Sequence, residues 1–571
     1  MRWVEPKSLP EIEIQHLVEE IGIHPIIARL LLLRGIHNYE EAKAFFNPDI
    51  RLLHDPMLMK DMGKALPTIL NAIEAGQRIM IYGDYDVDGT TSVALLSLYL
   101  KEIGADILTY VPDRYSEGYG ISLQGIDYAK SEKVKLIIAI DCGIRAIEQV
   151  EYAKQLGIDF IICDHHLPAQ QLPKARAILN PKQTSCSYPY KELCACGVGF
   201  KLIQAIHARL HKNFEELYSY LDLVAIATAA DIVPLTGENR ILVAQGLKVL
   251  NRSKKRTGIQ AILDHIDFKD KALNLSDLVY KIAPRINAAG RMKHAHHAVD
   301  LLVEQDIKTA KTIASDIENF NSNRRKIDTS ITEEALTQIK QEQNLTQNTT
   351  VVYHEDWHHG VLGIVASRLI EVHYRPTIVF GKREGLLTAS ARSVKGYNIY
   401  EALNQCAHLL EKFGGHKYAA GLSMLPENFE IFKNTFEKTV SKSLPDECKQ
   451  PIISIDAEIN LKELIPHQKA TFPKLYRIIN RMRPFGPKNP NPVFITKNVS
   501  DQGSRKVGQD RKHLRIQIND SSTNQVFTGI GFNLADKFDQ IDKSNFEIVY
   551  RLDENHWNGV RSLQLQLIDL R

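Results

Sequence analysis

The feature that most constrains the fold is a series of short apolar segments between residues 78 and 163. They read RIMIYG, ILTYVP, KLIIAI and DFIIC, and stretches with helical spacing such as TTSVALLSLYLKEIG separate them. Continuous apolar strands that alternate with helices are typical of a parallel sheet covered by helices. The sequence therefore predicts an α/β domain in this part of the chain.

Changes in residue pattern divide the rest of the chain into further regions. Residues 301–345 contain no proline or glycine, which favours a long connecting helix over a disordered linker. After residue 445, short strand-like segments with turn signals predict a small β-barrel of the OB type. The predicted regions are an N-terminal segment (1–55), the α/β catalytic domain (56–300), the connecting helix (301–345), a second α/β domain (346–445) and the OB-type domain (446–571).

Composition excludes several classes of protein. With 24% charged and 44% apolar residues, the 571-residue chain is neither disordered nor fibrous. Lys and Arg total 71 against 68 Asp and Glu, so a nucleic-acid site must be a local patch rather than a property of the bulk charge. No apolar run approaches the roughly 18 residues of a membrane helix, and the first residues lack a signal core. We expect a cytoplasmic protein without membrane contact, and the odd number of cysteines, seven, fits free thiols.

Carboxylates and imidazoles follow three of the predicted strands. Asp84, Asp86 and Asp88 come after the first, Asp141 after the third, and the triplet Asp164-His165-His166 after the fourth. The carboxyl ends of parallel strands meet at one edge of a sheet, where ligands bind. If residues 84–88 are extended, their three aspartates share one face. Asp231 follows another apolar stretch and is a further candidate.

This set of side chains predicts a divalent metal site. Crowded carboxylates repel one another, and a bound cation removes that penalty. Oxygen ligands with one or two imidazoles suit Mn²⁺ or Mg²⁺, and two such ions can clamp a phosphoryl displacement. The chain contains neither a P-loop motif nor a G-x-S-x-G elbow. Cys186, Cys194 and Cys196 cluster, but no zinc-finger spacing follows them, which favours ordinary core residues over zinc ligands.

At these residues the sequence resembles the DHH phosphoesterase superfamily. DYDVDG (84–89), DCG (141–143), DHH (164–166) and the Asp231 segment match its four motifs in order, and GGH (414–416) with AAG (419–421) resembles its associated C-terminal domain. Three more segments, PRINAAGRM, WHHGVLGIVASRL and PFGPKNPNPVF, resemble the branch of bacterial single-strand-specific 5′→3′ DNA exonucleases. The resemblance extends from about residue 60 to residue 571.

The resemblance implies roles for particular residues. Two metal ions would be surrounded by Asp84, Asp86, Asp88, Asp141, His165 and Asp231. His166 would contact the scissile phosphate. A 5′-terminal phosphate would be held by Arg114, Ser390 and Arg392, and the strand would pass Arg285 and His416. Ala389 stands where the family often has glycine, and its methyl group is expected to narrow the approach to Ser390 slightly.

The resemblance also implies substrate and partners. Single-stranded DNA would be degraded to 5′-mononucleotides in recombination and repair, with a RecQ-type helicase and a single-strand-binding protein as partners. The OB-type domain offers Arg505, Lys506, Arg511, Lys512 and Arg515, with Phe485, Phe494 and Phe532 as stacking or core residues. Two alternatives stay open: a phosphodiesterase of the same superfamily for short oligonucleotides or cyclic dinucleotides, and a non-catalytic replication scaffold.

Overall fold

A computed structural model describes residues 1–269, 271–342, 347–467, 470–541, 545–557 and 559–571. Four β-sheets organise these residues: one of two strands, two of five strands and one of seven strands. In this described part of the chain, no helix is both long and apolar enough to cross a bilayer.

The N-terminal segment is a short strand followed by three helices. These are β1 (Arg2–Val4), α1 (Glu11–Ile21), α2 (Pro25–Leu32) and α3 (Tyr39–Phe46). Proline at the first position of α2 and the side chain of Asn38 before α3 set two of the helix starts, because both satisfy the needs of a helix N-terminus.

The first five-stranded sheet is parallel, which confirms the predicted α/β domain. Its strands are β2 (Ile79–Gly83), β3 (Ile107–Tyr110), β4 (Leu136–Ile140), β5 (Asp159–Cys163) and β6 (Ala177–Leu179), in the order β3-β2-β4-β5-β6. The accompanying helices are α4 (Met62–Glu74), α5 (Val87–Glu102), α6 (Leu123–Ser131) and α7 (Ile147–Gln155). Every residue of β2 and β4 is buried, which explains their unbroken apolar sequences. Strand β6 is too short to have been predicted.

Seven further helices pack beside this sheet. They are α8 (Ala195–Arg209), α9 (Leu221–Ala230), α10 (Gly237–Leu250), α11 (Thr257–His265), α12 (Leu275–Asp277), α13 (Ala283–Met292) and α14 (His296–Val303). Helix α9 is buried from Leu221 to Ala229 and packs against α5 and α10. Its C-terminal cap is Asp231, so a buried helix delivers this carboxylate.

A buried ion pair joins α8 to α10. The Lys201 ammonium lies 2.7 Å from Glu238, and both side chains are at most 1% exposed. Glu238 also accepts hydrogen bonds from the Tyr188 hydroxyl at 2.7 Å and from the backbone N–H of His54 at 2.9 Å. Because both side chains are buried, removing either charge would leave the other without its counter-charge.

Lys201→Met should lower the free energy of unfolding by about 3 kcal/mol, because it leaves the Glu238 carboxylate buried without its counter-charge. Urea unfolding followed by circular dichroism measures this loss. Lys154→Met, at an exposed position of α7, is the matched control and should have little effect. A loss below about 1 kcal/mol in Lys201→Met would contradict the importance of the pair.

The predicted connecting helix is confirmed as one unbroken helix, α15 (Ile307–Gln341). The side chain of Asp306 caps its start by accepting from the backbone N–H of Thr309 at 2.8 Å. Its buried residues, including Ala310, Ala314 and Ile317, recur at helical spacing. The helix therefore packs along one side and links the two α/β regions.

The second five-stranded sheet is mixed. It contains β7 (Thr350–Tyr353), β8 (Thr377–Arg383), β9 (Leu386–Arg392), β10 (Lys412–His416) and β11 (Ala419–Met424), in the order β10-β11-β9-β8-β7. Only β7 and β8 pair in parallel within this sheet as described. The helices of this domain are α16 (Leu362–Val372), α17 (Ile399–Gln405) and α18 (Phe429–Ser443).

The C-terminal region contains the predicted strands. They are β12 (Ile452–Ser454), β13 (Ala457–Glu458), β14 (Phe494–Asp501), β15 (Arg505–Val507), β16 (His513–Asp520), β17 (Thr523–Gly531), β18 (Phe546–Trp557) and β19 (Val560–Leu570), with one helix, α19 (Lys474–Arg481). The seven-stranded sheet has the order β13-β14-β18-β19-β17-β16-β15. An additional pairing between β14 and β16 makes β14, β18, β19, β17 and β16 a complete cycle of neighbours.

The N-terminal segment shares a core with this C-terminal region. Leu17 and Leu30, from α1 and α2, belong to the same buried cluster as Phe494 and Ile516 of the seven-stranded sheet. Strand β1 pairs in parallel with β12. The two ends of the chain are therefore one packing unit, whereas the sequence predicted a separate N-terminal segment over residues 1–55.

Candidate active site

Two of the predicted site residues and the aspartate of the DHH triplet lie side by side at the edge of the first sheet. Gly83 of β2 pairs with Ile140 of β4, which pairs with Cys163 of β5. The next residues are Asp84, Asp141 and Asp164. The register therefore places their Cα atoms along one edge, as expected for the carboxyl ends of parallel strands.

The aspartates after β2 converge, but not on an extended strand. Asp86 is the N-cap of α5 and accepts from the backbone N–H of Gly89 at 3.1 Å, and Asp88 lies within the first turn of that helix. The expectation of one extended face was wrong, because the chain enters the helix at Val87. The turn sends Asp84 and Asp86 towards Asp141, and sends Asp88 towards His165 and Asp231.

The start of α8 fixes Asp88. Its two carboxylate oxygens accept from the backbone N–H groups of Ala195 at 2.7 Å and Cys196 at 2.9 Å. Unpaired N–H groups at a helix start favour an anion there. The segment around Cys194 and Cys196 thus positions a carboxylate, and the seven cysteines are all buried free thiols.

His165 stands at the centre of the cluster. Its Nε2 lies 3.3 Å from Asp141 Oδ1 and 3.8 Å from Asp88 Oδ2, and its Nδ1 lies 3.6 Å from Asp231 Oδ2. The cluster contains three groups of side chains, and within each group the candidate ligand atoms lie within 4.8 Å of one another. The groups are Asp84–Asp86–Asp141, Asp88–His165–Asp231 and Asp141–His165–His166. Asp141 and His165 each belong to two of these groups, so the three groups are contiguous.

The electrostatics of the cluster fit a pair of divalent cations. Burial and then neighbouring carboxylates raise the pKa of Asp88 to about 6 and of Asp231 to about 9, and raise the pKa of Asp84 and Asp141 well above the usual range. Burial lowers the pKa of His165 to about 3, which keeps the imidazole neutral and able to ligate. Asp84 Oδ1, His165 Nδ1 and Asp231 Oδ2 are buried without a hydrogen-bond partner. Oxygen-rich ligands of this kind suit Mn²⁺ or Mg²⁺.

We expect Mn²⁺ affinity to rise steeply between about pH 6 and pH 9. Asp88 and Asp231 hold protons below about 6 and 9, and those protons must leave before the carboxylates can ligate. Isothermal titration calorimetry in buffers of different ionisation enthalpy measures both the affinity and the protons released. Asp231→Asn should release fewer protons, and a pH-independent affinity with no proton release would contradict the assignment.

The aspartate of the DHH triplet orients its neighbours. Asp164 accepts from the backbone N–H groups of Ile144, His165 and His166 and from His166 Nδ1, the last at 2.7 Å. Burial lowers the pKa of His166, but the Asp164 carboxylate outweighs burial and the net shift is upward. With Nδ1 engaged, Nε2 is the atom of His166 left to face the cleft, where the Tyr119 hydroxyl lies 3.3 Å away.

A group of arginines lies beside the metal cluster. Arg392 Nη1 donates to Ser390 Oγ at 3.0 Å, and the guanidinium of Arg114 lies 4.8 Å from the centre of the ring of Tyr85, between Asp84 and Asp86 in sequence. Burial and then the charge of Arg114 lower the pKa of Arg392. The three residues predicted to hold a terminal phosphate therefore lie close to one another, with Arg114 against the ring of Tyr85.

The structure adds Arg291 and Gly363 to this group. Burial and then the charges of Arg114, Arg324 and Arg392 lower the pKa of Arg291 to about 10. A methyl group on Gly363 would lie 2.6 Å from Arg392 Nη2 and 2.9 Å from Ser390 Oγ, so the first turn of α16 lies directly against these two side chains. Clustered guanidinium groups beside a helix N-terminus favour a phosphate.

The glycine-rich strand β10 faces the sheet edge across a cavity of about 460 Å³. His416 and Gly415 line it on one side, and Tyr119, Gln149 and His166 line it on the other. Gly415 has φ 148 and no room for a Cβ, because Ala419 O would lie 2.4 Å from it. The hairpin of β10 and β11 therefore forms one wall of a cleft that His166 also lines.

Comparisons with known proteins agree with this geometry. Three family models match: "DHH family, N-terminal domain" at residues 78–228, "DHHA1 domain" at 346–442 and "RecJ OB domain" at 455–569. The single-stranded-DNA-specific exonuclease RecJ of Bacillus subtilis is 36% identical over all of this chain and 70% of its own length. The RecJ of Haemophilus influenzae is 34% identical over 96% of both chains.

The chain belongs to the RecJ family. The solved RecJ of Thermus thermophilus in complex with Mn²⁺ superposes with a TM-score of 0.83 at 27% identity, over 100% of this chain and 79% of that one. A further structure of exonuclease RecJ bound to manganese has a TM-score of 0.60 at 31% identity, over 71% of this chain and 99% of that one.

Arg285 does not join the arginine group. It pairs with Glu318 of α15 at 2.5 Å and donates to Lys281 O at 2.6 Å. Arg291 follows it by six residues on α13, and the helical period turns the two side chains by about 240°. Packing therefore places Arg291 near Arg114 and Arg392, and the expectation that the strand passes Arg285 stays a prediction.

The substitution at Ala389 does not narrow the cleft. Along β9, Ser390 and Arg392 face one side and Ala389 faces the other. Ala389 packs against the buried cluster that contains Phe380 and Leu422. Its methyl group therefore points away from Ser390, so the expected narrowing was wrong.

The C-terminal domain exposes one of the three phenylalanines named above. Phe494 is fully buried, Phe485 packs against the same core, and Phe532 is 57% exposed beside the ring of His513, 5.4 Å away. In the antiparallel pair β15–β16, Arg505 lies opposite Arg515. Phe532, Arg505 and Arg515 are therefore all exposed side chains of this domain.

Proposed function

We propose that this chain degrades single-stranded DNA from its 5′ end and releases 5′-mononucleotides by two-metal hydrolysis. The observation that carries the proposal is the adjacency of two groups: the carboxylate–histidine cluster and the arginines beside Ser390. The guanidinium of Arg114 lies over the ring of Tyr85, whose sequence neighbours are two of the carboxylates. If the arginines hold a 5′-terminal phosphate, the next phosphodiester of the strand would lie at the metals. This arrangement would make the protein cleave from the 5′ end.

The chain's own residues would hold and align the reacting groups. Asp84, Asp86 and Asp141 would hold one cation, and Asp88, His165 and Asp231 the other, with Asp141 near both. When bound, two divalent cations stabilise the charge that develops on the phosphate and make an attacking water more acidic. His166, oriented by Asp164, would donate from Nε2 to a phosphate oxygen.

The cleft geometry supports a preference for one strand. The hairpin of β10 and β11 lies across the sheet edge and leaves a cavity of about 460 Å³ beside His166 and His416. A duplex end would need both strands to enter this space. Beyond the cleft, Arg505, Arg515 and Phe532 would hold the continuing strand by charge and stacking.

We also propose the cellular setting that relatives of this kind imply. The protein would work in the cytoplasm on chromosomal ends during recombination and repair. A RecQ-type helicase would supply the unwound strand, and a single-strand-binding protein would present it. Pull-down with each purified partner, followed by a nuclease assay on a duplex with a 5′ end, tests this setting. Unchanged duplex degradation when the helicase is added would contradict it.

A nuclease assay tests the activity directly. A 5′-phosphorylated single strand labelled at its 3′ end is incubated with the protein and Mn²⁺, beside its duplex and a dinucleotide. We expect a ladder of shortening 3′-labelled products from the single strand and an intact duplex. Cleavage of the dinucleotide with an intact long strand would instead identify a small-substrate phosphodiesterase, and no metal-dependent cleavage at all would indicate a scaffold.

A further inference from the structure

A segment of the C-terminal region contacts the loop that carries Asp231. We call residues 482–490 the docking segment. The backbone N–H of Leu235, four residues after Asp231, donates to Pro487 O at 2.8 Å. A methyl group on Gly486 would lie 2.6 Å from Leu235 Cδ1 and 3.2 Å from Leu275 Cδ2, so the docking segment lies directly against this loop.

Two buried side chains lock the docking segment in place. Arg240 of α10 is 3% exposed and donates to Met482 O at 2.9 Å and to Arg483 O at 3.0 Å. Asn489 is 1% exposed and donates to Met482 O at 2.9 Å and to Pro484 O at 2.8 Å. Buried polar groups that satisfy main-chain carbonyls define one geometry, because leaving them unpaired is costly.

The Asp231 loop needs such support. Ile232, directly after Asp231, has φ 61, a left-handed conformation that is strained for a β-branched residue. Asp231 Oδ2, the atom 3.6 Å from His165 Nδ1, is buried with no hydrogen-bond partner. The position of this carboxylate is therefore set by the backbone of its loop. That backbone is held through Pro234 O, which accepts from Asn239 Nδ2, and through Leu235.

We propose that the docking segment positions Asp231 and thereby sets the affinity of the Asp88–His165–Asp231 cation site. Without the contact at Leu235, the strained turn at Ile232 relaxes and the carboxylate moves away from His165. The C-terminal region then contributes to the metal centre as well as to strand binding. This inference rests on the proposed function, in which Asp231 is a metal ligand.

Gly486→Ala and Asn489→Ala test the inference in the full chain. Each should weaken Mn²⁺ binding about tenfold in isothermal titration calorimetry without DNA, and should speed hydrogen exchange at the Leu235 amide. Excess Mn²⁺ should restore kcat, and the affinity for single-stranded DNA measured in EDTA should stay within twofold. Gly63→Ala is the matched control: Gly63 also has an ordinary φ, but the space around its Cβ position is open.

The outcomes separate this inference from the proposed function. If hydrogen exchange at Leu235 accelerates in either variant while Mn²⁺ affinity stays unchanged, the docking segment does not position the ligand and the inference is overturned. Asp231→Asn is measured beside them. If that variant also binds Mn²⁺ like the parent, the metal assignment fails first. Weakened binding in Asp231→Asn and in both segment variants supports the inference.

Discussion

Asp141→Asn should reduce kcat for single-stranded DNA about a thousandfold, which corresponds to roughly 4 kcal/mol of transition-state stabilisation. Asp141 belongs to two of the three ligand groups and lies 3.3 Å from His165, so its loss affects both cation positions. The amide keeps the shape of the side chain but is a poorer ligand for a hard cation. A single-turnover assay with saturating Mn²⁺ measures the effect on the chemical step.

The same variant should not destabilise the metal-free protein. Burial and neighbouring carboxylates raise the pKa of Asp141, so its charged form opposes folding at neutral pH and the neutral amide removes that cost. We expect an unchanged or higher Tm in EDTA together with the loss of turnover. Asp316→Asn, at an exposed position of α15, is the control and should leave both quantities as they are. Turnover within tenfold of the parent would contradict the assignment of Asp141.

Arg392→Leu and Arg291→Leu should each raise KM for a 5′-phosphorylated strand about 30-fold or more. Each guanidinium is buried beside like charges, so a phosphate gains charge-assisted hydrogen bonds of roughly 2–3 kcal/mol there. A 5′-hydroxyl strand lacks that phosphate, and its KM should change by less than threefold. Steady-state kinetics on the two strands, which differ only at the 5′ end, measure the difference.

Two comparisons make the arginine prediction specific. Arg176→Ala removes an exposed arginine paired with Asp159 at the opposite edge of the sheet, and should change neither KM. Arg285→Ala is a second comparison, because Arg285 was expected to lie along the strand's path and its guanidinium pairs with Glu318 rather than with the arginine group. A selective loss for 5′-phosphorylated strands in Arg285→Ala, with none in Arg291→Leu, would show that the phosphate binds elsewhere.

Much of the candidate site could be predicted because its residues follow local patterns. A buried parallel strand is a short apolar run, and the residue after it lies at the sheet edge, so Asp84 and Asp141 follow from pattern alone. The separate function of Asp164 could not be predicted this way. Asp164 also follows a buried parallel strand, but its carboxylate oxygens accept hydrogen bonds from the backbone N–H groups of Ile144 and His166.

The residues that follow β2 could be predicted as part of the site, but the backbone conformation of that turn could not. The spacing of Asp84, Asp86 and Asp88 suggested an extended face, yet the capping hydrogen bond from Gly89 to Asp86 starts a helix between them. The ligands still converge, because Asp88 is held by the backbone N–H groups at the start of α8. That contact joins residues more than 100 positions apart and leaves no local signal.

The sequence by itself determined the parallel sheet, the long helix α15, the C-terminal strands and the carboxylate set, since each depends on neighbouring residues along the chain. Only the tertiary structure decided that Arg291 joins Arg114 and Arg392, that α1 and α2 share a core with the last sheet, and that the docking segment rests on the Asp231 loop. These contacts join distant parts of the chain. Their energies come from burial and from buried polar groups finding partners, which are properties of the packed molecule rather than of any local pattern.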